Sequence, residues 1–219
     1  MIFTNRAQAG RMLAERLKAY ANRKDVTVLG IPRGGVPVAF EIAEALGVQL
    51  DVFAARKLGV PSQEELAFGA IASGGVRVLD PGIIGAVGIS DSDIEEVTAR
   101  ERRELERRER LYRGGRAPLD IRGRTAILVD DGIATGSSLR AAISASRHLE
   151  PSRLVVAAPV APLATSGRLR QEVDDLVCVE MPRSFRAIGE FYEDFGQVTD
   201  QEVSDLLRRN RQETIPRNI

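Results

Sequence analysis

Two adjacent carboxylates, Asp130 and Asp131, close the apolar run Thr125-Ala126-Ile127-Leu128-Val129 and are followed by Gly132-Ile133-Ala134-Thr135-Gly136-Ser137-Ser138-Leu139. The apolar run reads as a buried strand, and the small residues after it read as a turn that opens a helix. In such a junction successive N–H groups and the helix dipole converge on one anion. Thr135, Ser137 and Ser138 add hydroxyl donors, and glycine at 136 permits a positive φ and close approach of the backbone to a phosphate. Side-by-side anions repel unless hydroxyls, a metal or a base compensate them. The pattern therefore fits a phosphomonoester carried next to a polyol. An ordinary strand, turn and capped helix is the plain alternative, and the carboxylate pair makes it costly.

A second turn, Gly30-Ile31-Pro32-Arg33-Gly34-Gly35, follows the β-rich run Val26 to Ile31. It lacks the Gly-Lys-Ser/Thr of a P-loop and the G-x-G-x-x-G spacing of a dinucleotide fingerprint, so alone it is a generic strand-to-helix turn. Arg56 and Lys57 form a third element, and lysine occurs only at 18, 24 and 57 against 28 arginines. Met181 to Phe195 holds four of the ten Phe and Tyr residues. Phe185, Phe191 and Tyr192 are candidates to stack on a flat ligand, with a core cluster as the alternative. The single cysteine, Cys178, sits in an apolar run and reads as core. The single histidine, His148, reads as a cap on its helix end. Neither leaves a His/Cys cluster for zinc or a Cys–His nucleophile.

These residues need a frame. A first helix is expected from Thr4 or Asn5 to about Asn22, a helix from Val36 to Leu46, and a strand from Leu50 to Ala55 that delivers Arg56 and Lys57 at its carboxyl end. Leu58 to Leu79 is expected as a lid, a mobile loop followed by hairpin-like strands around Leu66 to Ala72 and Val76 to Leu79. Asp91 to Arg116 carries eight acidic and eight basic residues and reads as a solvated helix, not a nucleic-acid arm. Further elements are a helix from Ser137 to Leu149, a strand from Leu154 to Ala158, a helix from Ala164 to Glu172 and a strand from Leu176 to Val179. Strands this apolar imply a largely parallel sheet covered by helices on both faces, a three-layer α/β/α fold. The tail from Arg208 to Ile219 is expected to fray.

With 219 residues, 43% of them apolar, one domain over 1–219 is the default, its core at about 26–179. Lys plus Arg equals Asp plus Glu at 31 each, which favours a small partner over nucleic acid or a membrane surface. The absence of a long apolar stretch and of a signal-peptide core points to a cytoplasmic chain.

The segment Ile127 to Leu139 resembles the 5-phosphoribosyl 1-pyrophosphate (PRPP) motif of the type I phosphoribosyltransferases. That resemblance implies that Asp130 and Asp131 hold the ribose hydroxyls, while Ala134, Thr135, Gly136, Ser137 and Ser138 cradle the 5′-phosphate. It makes the turn with Arg33, Gly34 and Gly35 similar to the family's pyrophosphate loop, and it has Arg56 and Lys57 neutralise the leaving group beneath a closing lid. It further implies Mg²⁺ brought mainly on PRPP oxygens and water, a hood from the terminal segments (180–219 and the first helix), a nucleobase acceptor and a homodimer. Catalysis would fall to Asp130, Asp131, Lys57 and Arg33, with Asp131 able to assist proton removal. Two positions depart from the pattern: Gly132 replaces a branched apolar residue, and Ala134 a frequent Thr. Two other classes fit parts of the pattern. A PRPP-sensing regulator would need a basic docking face. A phosphoacceptor module would need a later lysine, and none follows Lys57.

Overall fold

The computed structural model describes residues 2–61, 63–114 and 119–214. Five parallel strands form the central sheet: β1 (Val26–Gly30), β2 (Gln49–Val52), β6 (Thr125–Val129), β7 (Arg153–Val160) and β8 (Asp175–Glu180), in the order β2-β1-β6-β7-β8. Every residue of β1 and β6 is buried, which is why both read as unbroken apolar runs. Successive side chains face opposite ways. Val28, Ile127 and Val155 enter a core with α1 (Arg6–Arg16), α2 (Gly35–Leu46) and α7 (Asp200–Thr214). Leu29, Leu128 and Val156 enter a second core with α5 (Ser137–Arg147) and α6 (Leu163–Leu169). The result is the three-layer α/β/α arrangement expected of the sequence.

From β1 the chain steps outward to β2, then returns to the other side of β1 as β6. Ligands on such sheets sit beyond the carboxyl ends of the strands where this reversal occurs. Here β1 and β6 pair in register from Val26↔Thr125 to Gly30↔Val129. The two turns singled out in the sequence therefore leave the sheet side by side.

A second, antiparallel sheet consists of β3 (Ala55–Val60), β4 (Gln63–Ala72) and β5 (Val76–Leu79). It corrects two expectations. The strand from Leu50 does not run to Ala55: β2 stops at Val52, and Arg56 and Lys57 lie in a strand of another sheet. Most of Leu58 to Gly75 is strand and not a loop, because Val60, Phe68 and Ile71 bury against Ile94, Val97 and Leu105 of α4 (Asp91–Arg113). The strands expected at 66–72 and 76–79 are the end of β4 and the whole of β5.

The charged helix α4 is laced by local pairs, Glu104 with Arg107 and Arg108. Its last residue is different: the buried Arg113 guanidinium lies 3.2 Å from Asp51 on β2. Residues 115–116 of the expected span fall outside the described residues. A short α3 (Pro81–Val87), capped by Asp80, was not expected. α1 ends at Arg16, short of Asn22, with a 3-10 turn at Lys18–Tyr20 following it. The tail departs too. α7 continues through residues 208–214 because Val203 and Leu207 are drawn into the first core; residues 215–219 fall outside the described residues. His148 caps its helix as expected, its Nδ1 lying 2.8 Å from the Ser144 carbonyl oxygen. Cys178 is buried, which pushes its thiol up to about 11.

Candidate functional site

Asp130 and Asp131 emerge where β6 ends, and they differ. Asp131 is buried; its Oδ2 accepts from Arg6 Nε at 2.8 Å, and Arg6 Nη2 lies at ion-pair distance from the same oxygen, also 2.8 Å. Asp130 has no cation within ion-pair distance among the described residues; its Oδ1 accepts from the Asp131 N–H at 2.9 Å. Burial, and then the neighbouring Asp131 carboxylate, hold the Asp130 carboxyl well above the ordinary carboxylate range.

Both flanking turns open helices at a glycine, which has no side chain to cap them. α1, α3 and α4 are capped by Asn5, Asp80 and Ser90, but α2 and α5 begin at Gly34 and Gly136 without a side-chain partner. First-turn N–H groups have no acceptor within their own helix. At α2 the preceding turn supplies them: Gly35 N–H donates to the Ile31 carbonyl at 3.0 Å, Val36 N–H donates to the Arg33 carbonyl at 3.1 Å, and Pro37 has no N–H. At α5 the Ser137 N–H makes only a 3.4 Å contact with Thr135 Oγ1, so this end is the one open to an anion. Gly136 takes the positive φ that the turn requires, at 80°. Thr135 Oγ1 lies 3.1 Å from Ser137 Oγ, and Thr165 Oγ1 donates to the Ala134 carbonyl at 3.1 Å. At Gly34 a Cβ would stand 2.0 Å from Asp131 Oδ2, so only glycine lets the first turn lie against the carboxylate. At Gly132 a Cβ would stand 2.4 Å from Ile188 Cγ2. The branched side chain that the motif usually places at this position is thus replaced by one from the chain after β8.

A cleft of about 1090 Å³ opens beside the turn after β6, between β4, β5 and α5. Ala134, Thr135 and Ser137 line it, with Lys57 opposite and Arg140, Arg168, Phe185 and Arg186 at its sides. The other expected residues separate. Side chains alternate along β3, so Arg56 turns away from Lys57 and donates to Glu101 of α4 at 2.7 Å. Lys57 pairs with Glu65 at 3.1 Å. Arg33 reaches toward Asp200 at 4.0 Å and, like Gly34, Gly35, Asp130 and Asp131, does not line the cleft. Of the aromatic candidates, only Phe185 faces the cleft, stacked on Phe191 with centroids 5.7 Å apart. Tyr192 is buried and donates to the Asp131 carbonyl at 2.6 Å; burial pushes its phenol up.

Sequence reasoning missed Arg6, Thr165, Arg168 and Arg186. Arg6 lies 125 positions from Asp131, and nothing local marks it. Arg168 and Arg186 are exposed and have no carboxylate partner among the described residues, a signal that only the folded arrangement carries. No helix among the described residues is long and apolar enough to cross a membrane.

A turn of small residues thus opens α5 beside paired carboxylates, at the reversal of a parallel sheet. Residues 1–195 match the model of the phosphoribosyl transferase domain, and the chain belongs to that family. It is similar to putative phosphoribosyl transferases of Mycobacterium tuberculosis strains CDC 1551 and H37Rv, at 44% identity over 208 residues. That match covers 95% of this chain and 47% of theirs, so the chain spans about half the length of these curated relatives. Its fold is similar to that of the TT1426 protein from Thermus thermophilus, with a TM-score of 0.86 and 42% identity over 95% of this chain and 99% of that one. The AQ2163 protein from Aquifex aeolicus shares the fold alone, with a TM-score of 0.51 and 10% identity over 84% of this chain and 78% of that one.

Proposed function

We propose that the chain transfers the 5-phosphoribosyl group of PRPP, with Mg²⁺, to a nucleobase acceptor and releases pyrophosphate. The carrying observation is that the open first turn of α5 stands beside the carboxylate pair at the sheet reversal. The turn from Ala134 to Ser138 receives the 5′-phosphate. Asp130, together with the Oδ1 of Asp131 that Arg6 leaves free, accepts from the ribose diol. The diphosphate leaves on the side of Lys57, which lines the cleft together with Ala134, Thr135 and Ser137, and the acceptor enters beside Phe185.

The bond from C1 to the diphosphate oxygen breaks as the acceptor nitrogen bonds to C1 with inversion. Negative charge grows on the leaving diphosphate, where Lys57 stabilises it, and positive charge grows on the ribose beside Asp130 and Asp131. Among the described residues no group of three His, Cys, Asp or Glu side chains forms a metal cage. The site suits Mg²⁺ carried on PRPP oxygens and water, since this ion keeps several waters and needs few protein ligands. When bound, it supplies charge neutralisation on the diphosphate.

The test is pyrophosphate release from PRPP and Mg²⁺ with a panel of bases. Turnover that Lys57→Ala slows by about 100-fold supports the reading. PRPP binding with no release from any base would instead mark a sensor, and failure to bind PRPP would end both.

A further inference from the structure

Arg6 spends its whole guanidinium on the site. Nε and Nη2 grip one oxygen of Asp131, Nη1 donates to the Gly196 carbonyl at 2.8 Å, and the group lies 4.0 Å over the Phe195 ring. Its side chain is only 13% exposed. Phe195 in turn stacks on Tyr192, whose hydroxyl holds the Asp131 carbonyl. The backbone ties the same two segments together: Phe3 N–H donates to Phe191 O, and Glu193 N–H donates to Phe3 O, each at 2.8 Å.

We propose that Arg6 is a positioning residue for PRPP: it fixes the Asp131 carboxylate with one oxygen turned to the ribose and cancels one of two adjacent negative charges where a polyanion must dock. This rests on the phosphoribosyl transfer reading. The geometry explains why the arginine comes from outside the motif. A cation reaching in from the cleft would occupy the ribose position, whereas Arg6, the first residue of α1, meets the Asp131 oxygen that also lies against Gly34. Without it, Asp130 and Asp131 would both face the ligand uncompensated, and Asp131 would be free to rotate.

The experiment compares wild type, Arg6→Gln, Arg6→Lys, Asp131→Asn and the double variant Arg6→Gln/Asp131→Asn, by equilibrium binding of Mg²⁺–PRPP and by steady-state kinetics. Thermal melting checks that each is folded. The expected result is PRPP binding weakened about tenfold in Arg6→Gln with the acceptor KM unchanged. Arg6→Lys should recover most of it, and the double variant should bind no worse than Asp131→Asn alone. A merely structural arginine would give losses that add, raise both KM values together and show no recovery with lysine; that pattern overturns the proposal. Wild type that fails to bind PRPP overturns the underlying reading and the proposal with it. Wild type that binds no better than a folded Arg6→Gln overturns the proposal alone.

Discussion

The junction of β6 with α5 and the junction of α4 with the two sheets treat charge in opposite ways. Around α4 the buried and half-buried charges meet partners: Arg113 has Asp51, Arg56 has Glu101, and Glu104 has Arg107 and Arg108. At the end of β6, among the described residues, Asp130 has no cation at ion-pair distance, α5 opens at a glycine that offers no capping side chain, and Arg168 and Arg186 line the cleft without carboxylate partners. One region resolves its electrostatics within the fold, and the other leaves them for a ligand. Charge that a fold leaves unbalanced marks where it binds.

The balanced region is most exposed to breakage at its buried pair. Arg113→Leu strands Asp51, which is 3% exposed, without its cation. Removing one partner of a buried pair costs about 3–5 kcal/mol. Urea unfolding is expected to show a loss of that size, with PRPP binding by the folded protein unchanged. A loss under about 1 kcal/mol would mean that the pair contributes nothing to holding α4 on β2.

The same contrast sets what the sequence revealed. The parallel sheet and the turn after Val129 were legible because their signals are local: burial on both faces makes an apolar run, and an anion-binding turn needs small residues next to one another. The antiparallel sheet was half legible. Its strands were seen, yet Leu58 to Gly75 read as a lid, since the partners that order it, Ile94 to Leu105, come later in the chain. Arg6 and Arg113 were not legible as site and anchor, because an arginine carries no mark of which distant carboxylate it will meet. Arg56 and Lys57 looked like a pair in sequence, and a strand's alternation sent them to opposite sides.

The unbalanced region should show a trade between stability and function. The Asp130 carboxyl is raised above its unfolded value, so the folded chain keeps a proton that the unfolded chain has already released. Stability therefore falls as pH rises from about 4 toward neutrality and beyond. Asp130→Asn removes that dependence. The variant is expected to exceed wild type by on the order of 1–3 kcal/mol at pH 8 and to approach it near pH 4, while PRPP binding weakens about 100-fold. Melting curves whose separation stays constant from pH 4 to pH 8 would show that Asp130 carries no such strain.

The smallest effect lies where the two regions touch. Lys57 stands in the balanced sheet but faces the cleft, and its partner Glu65 is 98% exposed. Such a pair contributes about 0–1 kcal/mol, so the fold holds Lys57 only loosely and a ligand anion can take it over. Glu65→Gln should leave stability within about 0.5 kcal/mol of wild type. It should tighten PRPP binding two- to threefold, roughly the gain from freeing one partly screened cation. Calorimetry at low and high salt separates the outcomes: a gain that fades with salt places Lys57 on the ligand's side of the comparison, and weaker binding would place it with the balanced charges of the fold.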